Sequence, residues 1–291
     1  MTRFGFIILH YGDPEVTFRC IDSILGLNTF KKDDSEASDQ CFVVIVDNDS
    51  HKSDEERNIL SEKYTGYENI DFLRIYDKTG FSHANNLGFK RLMEKFSPDF
   101  TVVANNDITF EQSDFLEKCK ESHAKYKWTL LSPDVFSTDK KQHQSPIAFK
   151  GREKKELDFT IKMNEMSLMT FPLTWRAVSR TLEGYGNDSF LQKIKFDIVP
   201  CGACIIFASD FTDRETDIFM PETDFYYEEY ILHERCRRAG YSIMYDPSIQ
   251  VLHADGVSTK GRTLDEKERL KFLLKNTARS ARIYRKFMYN R

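Results

Sequence analysis

Three short runs in this chain are apolar almost without interruption, and each stops abruptly in a polar cluster. Residues 4–9 (FGFIIL) end in His10, Tyr11, Gly12 and Asp13. Residues 41–46 (CFVVIV) end at Asp47 in DNDS, and residues 100–104 (FTVVA) end in Asn105, Asn106 and Asp107. A strand covered on both faces reads in this way, as strands of parallel sheets do. Parallel neighbours need a crossover, and the intervening segments supply one: Val16, Cys20, Ile24 and Leu27 recur at helical spacing, and a charged helix is expected from Ser53 to Tyr64. The alternation over the first 110 residues therefore predicts an α/β fold, a Rossmann-like, mostly parallel sheet flanked by helices. In such a sheet the strand ends share one edge, and ligands collect there.

The chain has 291 residues, enough for one large domain or one plus an appendage. A hydrophobic fraction of 40% beside 30% charged residues fits a globular protein with a well-solvated surface. The formal net charge of −4 gives no global attraction for nucleic acid. No apolar run nears the roughly 20 residues of a membrane span, and residues 4–9 break at His10, so they read as a first strand rather than a leader. Six scattered cysteines lack the density of a secreted disulfide framework, which points to a reducing cytoplasm. Cys201 and Cys204 have redox spacing, but an apolar stretch follows them instead of a helix, and no second pair completes a zinc ribbon. Buried structural thiols are expected.

Asp13 and Pro14 predict the cap and first position of helix one. Residues 31–40 are expected as a solvent loop, 70–75 as a third strand, and 80–88 (GFSHANNLG) as a loop entering a helix. Further on, a helix is expected over 115–126, a short strand over 129–132 and a strand over 198–207. Another helix should run from Glu228 to Ala239 and stop at Gly240, with extended segments at 241–245 and 249–253. Residues 137–195 show no steady period. The segment 264–291 places Leu270, Leu273, Leu274, Thr277, Ala281, Tyr284 and Met288 on one helical face, and from Arg269 onward it carries basic residues but no acidic ones. It reads either as a solvated helix packed on the domain or as a basic amphipathic helix resting on anionic lipid or pairing with a second copy.

The polar clusters carry the chemistry, and each has an ordinary structural reading beside the chemical one. Asn105, Asn106 and Asp107 could close a strand as an Asx turn, or offer oxygen to a Mg²⁺ or Mn²⁺ ion that also holds a diphosphate. Asp47 could start a turn, or accept the imide N–H of a uracil or thymine. Gly80 and Gly88 permit close backbone approach, while Asn85 and Asn86 present amides to a ribose or phosphate. Glu228 and Glu229 complement a helix N-terminus. Alternatively, flanked by Phe225, Tyr226 and Tyr227, one of them could have a raised pKa and act as a general base. His253 could be a satisfied histidine, or a metal or diphosphate ligand if it meets Asp107.

Seven segments occur in an order that resembles one family: FIILHYGDPE, VVIVDNDS, TGFSHANNLG, VVANNDITF, CGACII, FYYEEYILHERCRRAGY and VLHADG. The chain resembles the inverting glycosyltransferases of family 2, with a GT-A fold, and within them a subgroup of bacterial rhamnosyltransferase-like enzymes that build surface polysaccharides. The resemblance spans residues 4 to 256 and leaves 137–196 unmatched. It implies a domain over 1–256, with a nucleotide-binding half over 1–110 and an acceptor-binding half over 111–256, followed by a basic helical extension over 257–291. It also implies a UDP- or dTDP-sugar donor, a divalent cation and a saccharide or lipid-linked saccharide acceptor, used in the cytoplasm or at the inner face of the plasma membrane. At matching positions, Asp47 would hold the base, with His10, Tyr11, Gly80, Asn85, Asn86, Asn105 and Asn106 around the nucleotide-sugar. Asp107 and His253 would meet the metal, Gly202 and Ala203 would line the donor sugar, and Glu229, beside Glu228, would be the base. The family usually shows another acid two residues beyond the base, where this chain has Ile231. Two other functions are weighed. A sugar nucleotidyltransferase would need a Gly-rich, basic phosphate loop after the first strand, which HYGDP lacks; a non-catalytic carbohydrate-binding relative would not hydrolyse donor.

Overall fold

The computed structural model describes residues 1–27, 39–49, 52–77, 79–171, 192–254 and 266–289. The first half follows the sequence closely. β1 (Arg3–His10), α1 (Pro14–Gly26), β2 (Gln40–Asp47), α2 (Asp54–Lys63), β3 (Ile70–Arg74), α3 (Phe81–Lys95) and β4 (Phe100–Asn105) alternate without exception. Local chemistry sets the helix starts. The Asp13 side chain accepts the Glu15 N–H at 3.0 Å, and Pro14 takes the first helical position, where a missing N–H costs nothing. Ser53 and Glu56 close α2 with a reciprocal capping box. Most of the expected loop at 31–40 lies outside the described residues.

One expectation changes here. Residues 80–88 are not a loop: α3 begins at Phe81, and Asn85 and Asn86 sit inside it. Tertiary partners hold these two turn-forming residues in helical conformation. Gly88 lets α3 press on the sheet, since a Cβ there would stand 2.5 Å from the Val46 Cγ2 and 2.7 Å from the Ile7 Cγ2.

The second half continues with β5 (Ile108–Thr109), α4 (Phe115–Tyr126), β6 (Leu130–Ser137), β7 (Gln142–His143), α5 (Lys154–Met169), β8 (Lys195–Phe196), β9 (Cys204–Ala208), α6 (Ser209–Thr212), α7 (Glu228–Ala239), β10 (Ile243–His253) and α8 (Glu266–Tyr289). Three differences from expectation have local causes. The strand expected over 198–207 starts only at Cys204, because the Cys204 N–H turns back to the Cys201 carbonyl at 3.3 Å. The segments at 241–245 and 249–253 form one strand, β10, whose register against β6 shifts between Asp246 and Gln250; Pro247 has no N–H for the ladder. Helix α5 was unreadable because Phe159, Met163, Met166 and Met169 lie exposed on it, removing the contrast between its two faces.

The strands form one sheet in the order β3-β2-β1-β4-β9-β6-β10-β5. β3, β2, β1 and β4 are mutually parallel; β9 runs antiparallel between β4 and β6, and β10 is parallel to β6. The chain leaves β1 on one side for β2 and returns on the other for β4, so strand order reverses at β1. Opposite His10 stands Asp47, and opposite Leu9 stands Asn105. Three of the polar clusters therefore share one edge, at the place where open α/β sheets bind ligands.

Helix α8 packs its apolar face inward. Leu270, Leu274, Ala278, Ala281 and Tyr284 are buried, the last two in a cluster with Leu157 of α5 and Tyr230 and Ile231 of α7. Its Arg279, Arg282 and Arg285 pair with Asp224, Glu165 and Asp158. Among the described residues no helix is long and apolar enough to cross a membrane. All six cysteines are free and buried, and burial pushes the Cys204 thiol well up, as inert structural thiols require.

Candidate functional site

A cleft of about 440 Å³ opens beside the end of β4, lined by Asn105, Gly202, Ala203, Glu228 and Glu229 together with aromatic residues. The Asn105 N–H donates to the Ala203 carbonyl at 3.0 Å, which fixes the Cys201–Cys204 turn against the strand end. Gly202 in turn makes room for Glu229, whose carboxylate accepts the Gly202 N–H. A Cβ at 202 would stand 2.3 Å from the Glu229 Oε1. The sequence-predicted Gly202, Ala203, Glu228 and Glu229 thus meet at one point.

Burial raises the Glu229 carboxyl pKa above the ordinary glutamate value, while N–H bonds from its own backbone and Gly202 pull it back. Glu228 is 4% exposed. Burial and the adjacent Glu229 hold its pKa well above the usual range, and its Oε1 has no hydrogen-bond partner. Both sit in the first turn of α7, where the helix dipole favours negative charge. The two tyrosines ahead of them have left-handed backbone, with φ of 70° at Tyr226 and 67° at Tyr227. Such strain in bulky residues collects at functional sites. Ile231, the departure from the resembled pattern, is fully buried and belongs to the core between α5, α7 and α8.

At the neighbouring strand ends the side chains are tied together. The Asn106 amide donates to Thr17 Oγ1 at 2.9 Å and to the Tyr11 carbonyl at 3.3 Å. Thr17 Oγ1 also lies 2.7 Å from His10 Nδ1. Burial lowers the His10 pKa, with Asp47 and Asp49 opposing. Asp47 is 3% exposed. Its Oδ2 accepts from Arg57 Nε at 2.7 Å, and its Oδ1 accepts the Asp49 N–H at 3.2 Å.

Asp107, in the turn between β4 and β5, meets His253 at the end of β10, with Nε2 3.1 Å from Oδ1. On the other side of the ring, His253 Nδ1 lies 2.7 Å from Gln144 Oε1. An amide oxygen only accepts, so Nδ1 donates to Gln144 and the ring is held with Nε2 toward the Asp107 carboxylate. An imidazole and a carboxylate converging in this way are donor types that divalent ions take. The pair fits a divalent ion on that chemistry, although no group of three His, Cys, Asp or Glu able to hold a metal occurs among the described residues.

The α3 residues go elsewhere. Asn86 donates to the Phe219 carbonyl at 2.8 Å and accepts the Phe219 N–H at 2.9 Å, so its amide bonds protein backbone. Asn85 donates to the Phe81 carbonyl at 2.9 Å. Gly80 yields space to protein, since a Cβ there would stand 2.4 Å from the Asp224 Cα. This contact docks the start of α3 on the turn that precedes the glutamates.

Sequence reading missed Arg57, Arg152 and Thr277. Arg57 has a signal in retrospect, lying three residues before the buried Leu60 on an otherwise acidic helix. Arg152 and Thr277 line the cleft, but the first lies in the stretch without a period and the second on an apolar face.

No family model and no curated protein matches the chain. Among solved structures, the crystal structure of Staphylococcus aureus TarS 1-349, a glycosyltransferase, matches 99% of this chain and 73% of its own at 12% identity, with a TM-score of 0.54. The likeness is one of fold. The mostly parallel sheet flanked by helices, with a helix at its C-terminal end, is the GT-A-like arrangement expected from the sequence.

Proposed function

We propose that the protein is an inverting glycosyltransferase of the family-2 type, moving a sugar from a nucleoside-diphosphate donor to a saccharide or lipid-linked acceptor. The observation that carries this reading is the Glu229 carboxylate, seated on Gly202 in a cleft that begins at the end of β4. Its raised pKa suits a base working near neutrality. Glu229 takes the proton of an acceptor hydroxyl as that oxygen bonds to the anomeric carbon. The bond from that carbon to the diphosphate oxygen breaks on the opposite face, and its electron pair leaves with the diphosphate. Configuration inverts without a covalent intermediate.

Asp47 would accept the imide N–H of a pyrimidine through a lone pair left over from its Arg57 and Asp49 bonds. Asp107 and His253 would hold Mg²⁺ or Mn²⁺, with the donor phosphates supplying further ligands. When bound, the ion would neutralise charge on the departing diphosphate. Asn105, Gly202 and Ala203 would border the donor sugar. His10 and Asn106 would hold the loop at Tyr11 in place, and Asn86 would position α3.

The test is calorimetric titration of UDP, dTDP and GDP and their sugars with Mn²⁺ or Mg²⁺, followed by a donor-hydrolysis assay. A pyrimidine nucleotide should bind, and Glu229→Gln should lose about 10²–10⁴-fold in turnover with donor affinity retained. Absence of nucleotide binding, or full turnover by Glu229→Gln, would remove the reading.

A further inference from the structure

Among the described residues, the cleft has one cation on its wall that the reaction above does not use. Arg152, just ahead of α5, sets its guanidinium 5.3 Å over the Tyr230 ring and donates to the Tyr230 hydroxyl. Its own carbonyl accepts the Tyr289 hydroxyl at 3.5 Å, which ties this stretch of chain to the end of α8. Arg279, Arg282 and Arg285 on α8 are each neutralised by a carboxylate. Arg152 forms no ion pair among the described residues, although Glu156 is near enough to raise its pKa.

A guanidinium has five N–H donors in a planar fork matched to phosphate and carboxylate. Stacking and one hydroxyl leave most of them available. Phe225 and Tyr227 line the same cleft, and flat aromatic faces accept the C–H surface of a sugar ring. Asp47, Asp107 and His253, assigned to the base and diphosphate of the donor, lie at or just beyond the ends of β2, β4 and β10, whereas Arg152 lies against Tyr230 of α7 and shares its cleft with Gly202 and Ala203, which would border the donor sugar.

We propose that Arg152 is the anion-recognising residue of the acceptor subsite, so that the acceptor is a saccharide bearing a phosphate or carboxylate. The word acceptor rests on the transferase reading; the anion subsite itself does not.

The experiment is calorimetric titration of the wild type, Arg152→Gln and Arg152→Lys with glucose 6-phosphate, glucuronate, neutral methyl glucoside, UDP and dTDP. The wild type should bind at least one anionic probe about tenfold or more tighter than methyl glucoside. Arg152→Gln should abolish that preference and Arg152→Lys should keep part of it, because lysine retains charge but not the fork. A preference for glucose 6-phosphate over glucuronate marks a phosphate-bearing acceptor, and the reverse marks a uronic acid. UDP and dTDP should bind all three proteins alike. The proposal is overturned if anions bind the wild type no tighter than methyl glucoside, or if Arg152→Gln keeps the preference. It is equally overturned if that variant weakens UDP or dTDP in parallel, which would make Arg152 a diphosphate contact. Should Arg152→Gln misfold by circular dichroism, the wild-type preference and Arg152→Lys decide the matter. Failure of the wild type to bind any nucleotide would remove the transferase reading and leave the anion preference of the cleft standing.

Discussion

Gly202 and Glu229 fill one volume between them: a Cβ on the glycine would stand 2.3 Å from the carboxylate oxygen and 3.0 Å from its carbon. The turn after residue 198 and the start of α7 can meet only if position 202 has no side chain. Gly202→Ala should therefore push the Glu229 carboxylate out of place. Turnover should fall about 10²-fold, the scale of a small misplacement of a catalytic group, with nucleotide affinity unchanged by calorimetry. Undiminished turnover in this variant would show that the carboxylate is not needed where the structure holds it.

The glutamate pair ties stability to pH. Both carboxyls have folded pKa values above the ordinary glutamate value. The native state thus binds their protons more tightly than the unfolded chain does. The stabilisation this gives is complete below the unfolded pKa, about 4.3, and is lost as pH rises through the folded values. Glu228→Gln removes one titration, so its thermal stability relative to wild type should improve as pH rises from 4 to 8. The gain should reach about 1 kcal/mol, or roughly 2–4 °C for a chain near this size. A difference in melting temperature that stays flat across this range would contradict the assignment. Turnover follows the opposite course, because the base must be ionised: its acid limb should lie above the ordinary glutamate range.

Gln144 holds the His253 ring from the side away from Asp107. Replacing it with leucine removes the acceptor that fixes the Nδ1 proton. Partners of this kind are worth about 10–100-fold in metal affinity. Gln144→Leu should weaken Mn²⁺ binding in the presence of UDP by that factor, as read by titration, while UDP binding without metal is unaffected. Equal Mn²⁺ affinity in the two proteins would place the cation elsewhere.

Arg57 is the structural counterweight of Asp47. Its guanidinium donates to the Asp47 carboxylate at 2.7 Å, the Asp47 carbonyl at 3.0 Å and the Ile75 carbonyl at 2.7 Å, and the side chains of both residues are 4% exposed. Arg57→Met should cost about 3–5 kcal/mol in urea unfolding, because it strands a buried carboxylate. Adding Asp47→Asn to it should recover part of that loss. A double variant no more stable than Arg57→Met would mean that the ion pair is not the source of the effect.

The sequence by itself determined the first half of the fold and the sheet edge at which its polar clusters meet. Residues 4–9, 41–46 and 100–104 are apolar on both faces, which only a covered parallel sheet accommodates, and their polar ends had to share an edge. Asp13, Pro14 and Gly240 marked helix ends because capping is a matter of a few adjacent residues. What tertiary structure decided was which polar groups remain for chemistry. Asn86 carries the same amide as Asn105, yet its two bonds to Phe219 bind it to protein, a pairing across the chain that no local pattern encodes. Arg152 lay in a stretch without a period, and its place beside Tyr230 depends on how α5 and α8 pack against α7. Strand ends are fixed by short-range hydrophobic pattern. The environment of a charge is fixed by whatever long-range packing brings to it.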